Sequence, residues 1–506
     1  MSKRLIHNSA FGLAASLITT LGSFASSLIL ARTLGVEGAG VVAYGIWIST
    51  TAVTLASAGV PFTLARYLPE LTAQGGEEEA RRLTAFLLKS YLLFAFSGPA
   101  LMLVCAFYTA GRPEAPGEAP SDLWLWIMVA ACALTQSSAD FARGYMRGMQ
   151  KFDRIAMASF IASVCQPAAI ALAGWRYGPT GALAGYALGN CIPSCLILAV
   201  PWPREPISSE LRRRVLRCAG FRWAGEIMAA FVWSRLEVFF LHLWCGSASV
   251  GLFSTGLTLA NFASQLPVML TWGLVPHFSE RVAHKDFIGL RRDLATGTRI
   301  IAFLLLPMCL GAAAIMPALV PFLFGSNFDG AIGISIILVC GAGLAAATAV
   351  VWNVIWAMER TDVELFITMV GALVAVIADV GLIPHYGVFG AAVSRVVAQT
   401  LVSALAVAFL VWRLGVAPPF ADLGRILACA LLCALVARVC LLLAPGPLGL
   451  PLAVAMGAAV YLLSARWLKA LPEEDIARFR SLAASLPGAI ASPAHRILDM
   501  MATRRT

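Results

Sequence analysis

Fourteen stretches of this chain are each apolar enough and long enough to cross a bilayer, and the connectors between them alternate in charge. A spanning helix needs roughly 20 apolar residues. The stretches run 9–31, 41–63, 84–108, 123–142, 155–175, 181–201, 220–243, 251–275, 299–323, 330–357, 363–383, 387–411, 422–443 and 448–465. Hydrophobic residues make up 59% of the chain and charged residues 13%, with a mean hydropathy of +0.82. Spanning segments must satisfy their own backbone, so an all-α membrane protein is expected, with little chain left for a soluble domain.

Basic residues set the orientation. If Lys3 and Arg4 face the cytoplasm, the segments 1–8, 64–89, 143–154, 202–218, 276–299, 358–362, 412–425 and 466–506 share that side. They hold thirty of the 37 lysines and arginines, whereas the opposite connectors hold only Arg32, Arg112 and Arg176. This bias places both termini in the cytoplasm and the protein in the cytoplasmic (inner) membrane. The net charge of +10 is then topological, and nucleic-acid binding is not expected. The first apolar stretch is too long for a signal h-region and is expected to remain as an anchor. Cys191/Cys195 and Cys429/Cys433 have helical spacing but no His or carboxylate nearby, so neither a metal site nor a disulfide is expected.

The chain repeats itself. Gly35, Gly40 and Gly45 recur as Gly246, Gly251 and Gly256 at an offset of 211. Tyr177-Gly178-Pro179-Thr180-Gly181-Ala182 recurs as Tyr386-Gly387-Val388-Phe389-Gly390-Ala391, and Met149–Asp153 as Met358–Asp362, at an offset of 209. Each unit holds six spans, so both copies enter from one side and are related by an axis along the membrane normal. The expected domains are a six-helix bundle at 1–201, a second at 202–411, two added helices at 412–465 and a cytoplasmic tail at 466–506. In that tail Ile476, Phe479, Ala483 and Leu486 have the spacing of an interfacial amphipathic helix. The glycine clusters fall at exterior turns, where positive φ and close backbone approach are needed. Gly181, Gly185 and Gly189 form a ladder that lets a neighbouring helix approach.

Ionisable groups inside spans are costly and usually functional. Treated as one helix, span 7 puts Glu226, Trp233, Glu237 and Trp244 within about 40° of each other, with Arg235 on nearly the opposite face. Two readings of that stripe stand. It lines a hydrated cavity where aromatic faces stack on sugars and carboxylates accept hydroxyls or protons; or Glu226 pairs with Arg222 and Glu237 with a neighbouring helix. Span 8 carries Ser254, Thr258, Asn261, Gln265 and Trp272 on one face, and span 1 carries Ser16, Thr20, Ser23 and Ser27. Span 12 carries Arg395, Gln399 and Ser403 at i, i+4 and i+8, and span 4 carries Gln136, Asp140 and Arg143. Arg395 needs a counter-charge, which a substrate phosphate or Asp379 can supply. Arg66, at the inner end of span 2, can meet an anionic headgroup. No P-loop, nucleophile elbow or metal-ligand cluster is present, so a transporter without cofactor or metal is expected rather than an enzyme.

Several segments resemble a known family. Asn8 and Ala31-Arg32-Thr33-Leu34-Gly35-Val36-Glu37-Gly38-Ala39-Gly40 are similar to the start of Wzx-type polysaccharide flippases of the multidrug/oligosaccharidyl-lipid/polysaccharide (MOP) exporter superfamily. So are Ala58-Gly59-Val60-Pro61-Phe62-Thr63-Leu64-Ala65-Arg66-Tyr67-Leu68-Pro69-Glu70 and Arg143-Gly144-Tyr145-Met146-Arg147-Gly148. The resemblance implies two six-helix bundles in a V and alternating access that carries an undecaprenyl-pyrophosphate-linked glycan to the outer leaflet. It also implies membrane lipids, polysaccharide polymerase and glycosyltransferases as partners, and a monomer. An acidic residue near the exterior end of span 7 is common in such proteins, and Glu237 matches it. Lipid II flippases of the superfamily carry several arginines in spans 1 and 2, where this chain has only Arg66. Cation-coupled drug exporters have twelve spans and an acid in span 1, which this chain lacks. The candidate site residues are therefore Arg395, Arg66, Arg235, Trp233, Asn261, Gln265 and Gln399 for substrate, with Glu237, Glu226, Asp140 and Asp379 for coupling or charge pairing.

Overall fold

A computed structural model of the chain describes residues 3–110, 123–200, 207–233, 236–271, 274–415, 419–444, 446, 448–472 and 474–475. Among them every regular element is helical: α1 (Lys3–Ala56), α2 (Val60–Ala73), α3 (Glu77–Ala110), α4 (Leu123–Gly148), α5 (Phe152–Ser194), α6 (Ser209–Trp233), α7 (Glu237–Thr271), α8 (Leu274–Ala283), α9 (Phe287–Phe324), α10 (Ala331–Ala347), α11 (Ala349–Ala357), α12 (Thr361–Leu414), α13 (Phe420–Leu443) and α14 (Gly449–Trp467), with two short 3-10 turns. Ten helical segments among the described residues are long and apolar enough to cross a membrane. The protein is an all-α, multi-pass membrane protein.

The fourteen expected spans map onto fewer, longer helices because the turns at the glycine clusters are shorter than the clusters suggest. α1, α5, α7 and α12 each contain one residue of non-helical backbone: Gly35 (φ 67°), Gly178 (φ 61°), Gly246 (φ 79°) and Gly387 (φ 54°). Only the first glycine of each cluster takes the turn conformation; the later ones are helical and serve close approach. α5 folds back on itself at Gly178, so that a Cβ on Gly185 would lie 2.7 Å from the Ile170 nitrogen. The expected ladder thus closes the hairpin formed by spans 5 and 6.

Two expected spans are interrupted. Span 7 is not one helix: α6 ends at Trp233 and α7 begins at Glu237. Leu236 is a turn residue whose carbonyl accepts from the Phe239 N–H at 3.0 Å, so a new helix starts at Glu237. Span 10 breaks at Thr348, whose Oγ1 lies 2.7 Å from the Ala345 carbonyl and 3.1 Å from Ser403 Oγ. That hydroxyl gives the interrupted backbone a local partner, as apolar surroundings demand.

The repeat is written in backbone conformation as well as in sequence. Left-handed residues recur in pairs: Gly35 with Gly246, Gly75 with Lys285, Gln150 with Glu359, and Gly178 with Gly387. Lys285, Gln150 and Glu359 adopt positive φ without being glycine, and the tight turns between helices hold them there.

By contacts the chain forms two compact units, Met1–Ser254 with Asp379–Val388, and Thr255–Ala378 with Phe389–Thr506. The core of the first gathers Leu64, Leu68, Leu83, Leu87, Tyr91, Phe141 and Val215, all at most 2% exposed or fully buried. In the second, α13 and α14 pack on α9: Tyr461 donates its hydroxyl to the Phe303 carbonyl at 2.6 Å, and the two rings lie 5.1 Å apart. Residues after α14 continue that core, with Ala470 and Leu471 buried. Arg299 Nε then meets Asp475 Oδ2 at 2.7 Å, while its Nη1 lies 3.6 Å from Asp422. Ile476, Phe479, Ala483 and Leu486, expected to form the tail helix, lie outside the described residues.

Candidate functional site

In the first unit, the N-terminal turn of α7 carries Glu237, which is only 4% exposed. The free N–H groups of a helix N-terminus favour a carboxylate there. Around the same turn runs a chain of rings shared by α7 and the second half of α1. Tyr44 stacks on His242 at 3.7 Å and lies 5.9 Å from Trp47, which faces Phe239 at 5.8 Å. Phe239 continues to Phe240 at 5.4 Å and Phe240 to Trp244 at 5.0 Å. Tyr44 and Trp47 carry no charge and lie far from α7 in sequence, so span-by-span charge patterns do not reveal them. His242, an ionisable residue inside a span, was the available signal.

Glu226 sits elsewhere, on α6. It accepts from Ser57 Oγ and from Arg222 Nε, each at 3.2 Å, and Trp223 Nε1 donates to the Leu55 carbonyl at 3.0 Å. Ser57 occupies the break between α1 and α2, where Ala58 and Gly59 have positive φ. A Cβ on Gly59 would strike the Ala219 carbonyl, so this break packs directly on α6. Because α6 and α7 are separate helices, Glu226 and Glu237 do not form the single-helix ladder that the spacing suggests. The side chain of Trp233 and the whole of Arg235 and Trp272 lie outside the described residues.

Gly40 and Gly251 make the tightest crossing in this unit. A Cβ on Gly40 would run into the Ser247 carbonyl, and a Cβ on Gly251 into the Val36 carbonyl. Both pairs are related by the offset of 211, so the contact is reciprocal across the repeat.

The second unit buries its polar groups along α12. Arg395 and Gln399 are each 8% exposed and Ser403 is 4% exposed, on one helical face. Asn353 Nδ2 donates to the Thr271 carbonyl at 3.0 Å, tying α11 to the end of α7. Asn261 is exposed and Gln265 half-buried. Asp379, in the first unit, is fully buried. Asp140 pairs with Arg143 at 2.6 Å, and Arg66 is exposed with its guanidinium 5.7 Å from the Tyr67 ring. Thr20 Oγ1 bonds back to the Ser16 carbonyl at 2.9 Å, so part of the span 1 hydroxyl stripe is satisfied within its own helix.

The fold and these positions can be set against known proteins. The polysaccharide biosynthesis protein family model matches residues 5–282. Among curated proteins none matches the sequence. Among solved structures, the lipid II flippase MurJ in an inward closed conformation superposes with a TM-score of 0.67 at 14% identity, covering 90% of this chain and 98% of that one. An inward-facing multidrug resistance MATE family transporter of the MOP superfamily gives 0.64 at 15%, covering 80% and 98%. A MOP superfamily transporter from Pyrococcus furiosus gives 0.53 at 15%, covering 81% and 96%. A likeness at such identity establishes the fold, and the family match covers more than half of the chain. With the fold of the MOP transporters, the chain belongs to the polysaccharide biosynthesis protein family.

Proposed function

We propose that this protein flips an undecaprenyl-pyrophosphate-linked oligosaccharide from the inner to the outer leaflet of the cytoplasmic membrane by alternating access. The carrying observation is the polysaccharide biosynthesis match over residues 5–282 in a chain whose spans bury ionisable groups. Glu237 and Arg395, at 4% and 8% exposure, are among these, as is the fully buried Asp379. Bundles at 1–201 and 202–411 would supply the moving parts. Glycosyltransferases would deliver the lipid-linked unit and a polymerase would consume it. Both termini would face the cytoplasm.

In this reading Arg395, with Gln399 beside it, meets diphosphate or acidic sugar, and Glu237 serves coupling or accepts sugar hydroxyls beside the aromatic chain. Glu226 is held by Arg222 and Ser57, which favours a structural task at the α1–α2 break.

The test is glycan export in cells lacking the native gene, complemented at matched expression. Arg395→Gln should export less than Arg395→Lys. Glu237→Gln and Glu237→Ala should both fail if charge is required, whereas Gln should survive alone if only a hydrogen bond is needed. Wild-type export by all four variants would remove both positions from the mechanism. The fold shared with MurJ supports a second reading, peptidoglycan-precursor transport. That reading predicts rescue of cells depleted of their lipid II flippase, which a flippase for another glycan should not provide. A cation-coupled drug exporter would instead protect cells against toxic amines.

A further inference from the structure

The two repeats treat their basic residues differently at one corresponding place, the short helix before the tight turn that leads to the next span. In the second repeat this helix is α8, and its basic side chains meet carboxylates. His277 Nε2 lies 2.9 Å from Asp293 Oδ2, Arg281 Nε lies 3.2 Å from the same oxygen, and Arg281 also pairs with Asp286. In the first repeat the helix is α2, and Arg66 has no carboxylate within ion-pair distance among the described residues. Its guanidinium lies 5.7 Å from the centroid of Tyr67, and that of Arg214, from α6, lies 5.2 Å from the same ring.

The ring is a fixed mount. Tyr67 is 3% exposed and belongs to the core that includes Leu64, Leu68 and Val215. Arg214 is further held by Glu70 at 3.0 Å, yet stays more than half exposed. On α6 the buried positions Leu211, Val215 and Ala219 seat one face, which turns Arg213 and Arg217 to solvent at i,i+4. Neither has a carboxylate partner among the described residues, and like charges at that spacing repel. A topological signal needs only that basic residues lie on one side. It does not need two guanidiniums from different helices held on one buried ring, and the second repeat does without this arrangement.

We propose that Arg66 and Arg214 on the Tyr67 ring, flanked by Arg213 and Arg217, form a binding site for the diphosphate headgroup of a lipid. The planar donors of arginine suit phosphate oxygens in paired contacts, and two adjacent phosphates match two guanidiniums better than one phosphodiester does. Under the flippase reading, on which the identity of the ligand rests, this site captures the lipid-linked diphosphate at the side where basic connectors gather. It is separate from Arg395.

The experiment uses the full-length protein in phosphatidylcholine nanodiscs, titrated with undecaprenyl diphosphate, with undecaprenol or with phosphatidylglycerol, and read by native mass spectrometry. The diphosphate should bind preferentially. Arg66→Gln and the double variant Arg213→Gln/Arg217→Gln should each weaken it by about tenfold, a difference of ~1.4 kcal/mol. Arg66→Lys should lose less than Arg66→Gln. Arg291→Gln, an exposed cation on α9, should change it by less than about twofold, under ~0.4 kcal/mol. Equal binding of phosphatidylglycerol, equal loss in Arg291→Gln, or no loss in any variant would overturn the site. Binding by the purified protein does not depend on export. Intact binding with no effect of the gene on glycan export would therefore sink the flippase reading alone, and intact export with unselective binding would sink this site alone.

Discussion

At the scale of single residues, Asp286 shows how the turn before α9 is held. Its Oδ1 accepts from the Gly289 backbone N–H at 2.9 Å and its other oxygen pairs with Arg281. The Gly289 N–H first, and Arg281 after it, hold this carboxyl below the usual carboxylate range. A depressed pKa means that its stabilisation is complete above the unfolded value of about 3.9 and is lost as pH falls through the folded value. Asp286→Ala should therefore melt below wild type at pH 7, and the gap should narrow under strong acid. A gap unchanged between neutral and strongly acidic pH would assign the effect to packing instead of charge. Other residues differ in how far spacing alone could place them. Arg395, Gln399 and Ser403 all lie on the arm of α12 after the turn at Gly387, so their i,i+4,i+8 spacing translates directly into one buried face. Glu226 and Glu237 are as regularly spaced, but a helix break separates them. Periodicity carries information only while the helix continues. The Tyr44–His242 stack joins residues distant in sequence, which no single-helix pattern reveals.

At the scale of elements, small residues decide which helices can touch. Gly185 faces the first arm of α5, where a Cβ would fall 2.7 Å from the Ile170 nitrogen and 2.9 Å from its Cα. A backbone atom cannot swing aside as a side chain can, so the arms would have to separate. Gly185→Leu should cost about 1–3 kcal/mol or more by overpacking, seen as a lower melting temperature in detergent; an unchanged melt would mean that the hairpin is looser than these distances. The seat of α13 and α14 poses a different problem. Asp475 has a side chain only 1% exposed, against Arg299 at 15%. Losing one partner of a buried pair strands the other charge, which costs about 3–5 kcal/mol when nothing else compensates. Asp422, 3.6 Å from Arg299, offsets part of that. Asp475→Ala should thus destabilise the protein by roughly 1–3 kcal/mol, and truncation after Leu471 should do the same. Truncation after Asp475 should leave stability intact. If the two truncations melted alike, the Arg299 pair would not anchor this segment. The apolar run of α14 was legible in the sequence, but the anchoring of the residues after it was not, because it depends on one distant arginine.

At the scale of the whole molecule, one structural unit has been used twice and then allowed to diverge. Left-handed residues recur at Gly35 and Gly246 and at Gly178 and Gly387, which keeps the path of the chain the same in both copies. The charged residues diverge: among the described residues α2 gives Arg66 no carboxylate partner, while on α8 His277 and Arg281 meet Asp293 and Asp286. Backbone geometry follows from positions that a glycine or a tight turn dictates, whereas surface charge is free to change with function. Repetition also fixes an expectation for topology. An even number of spans per copy brings both copies in from the same side, and the two helices α13 and α14 return the chain to that side once more. The connectors on that side hold thirty of the 37 basic residues, so both termini should be cytoplasmic. A reporter active only in the cytoplasm should be active when fused at Thr506 and inactive when inserted at Gly117, in the connector 109–122, which lies largely outside the described residues. A reporter active only in the periplasm should give the reverse. The same compartment at both positions would mean an odd number of crossings fewer or more between them, and would break the equivalence of the two repeats along with the map of fourteen spans.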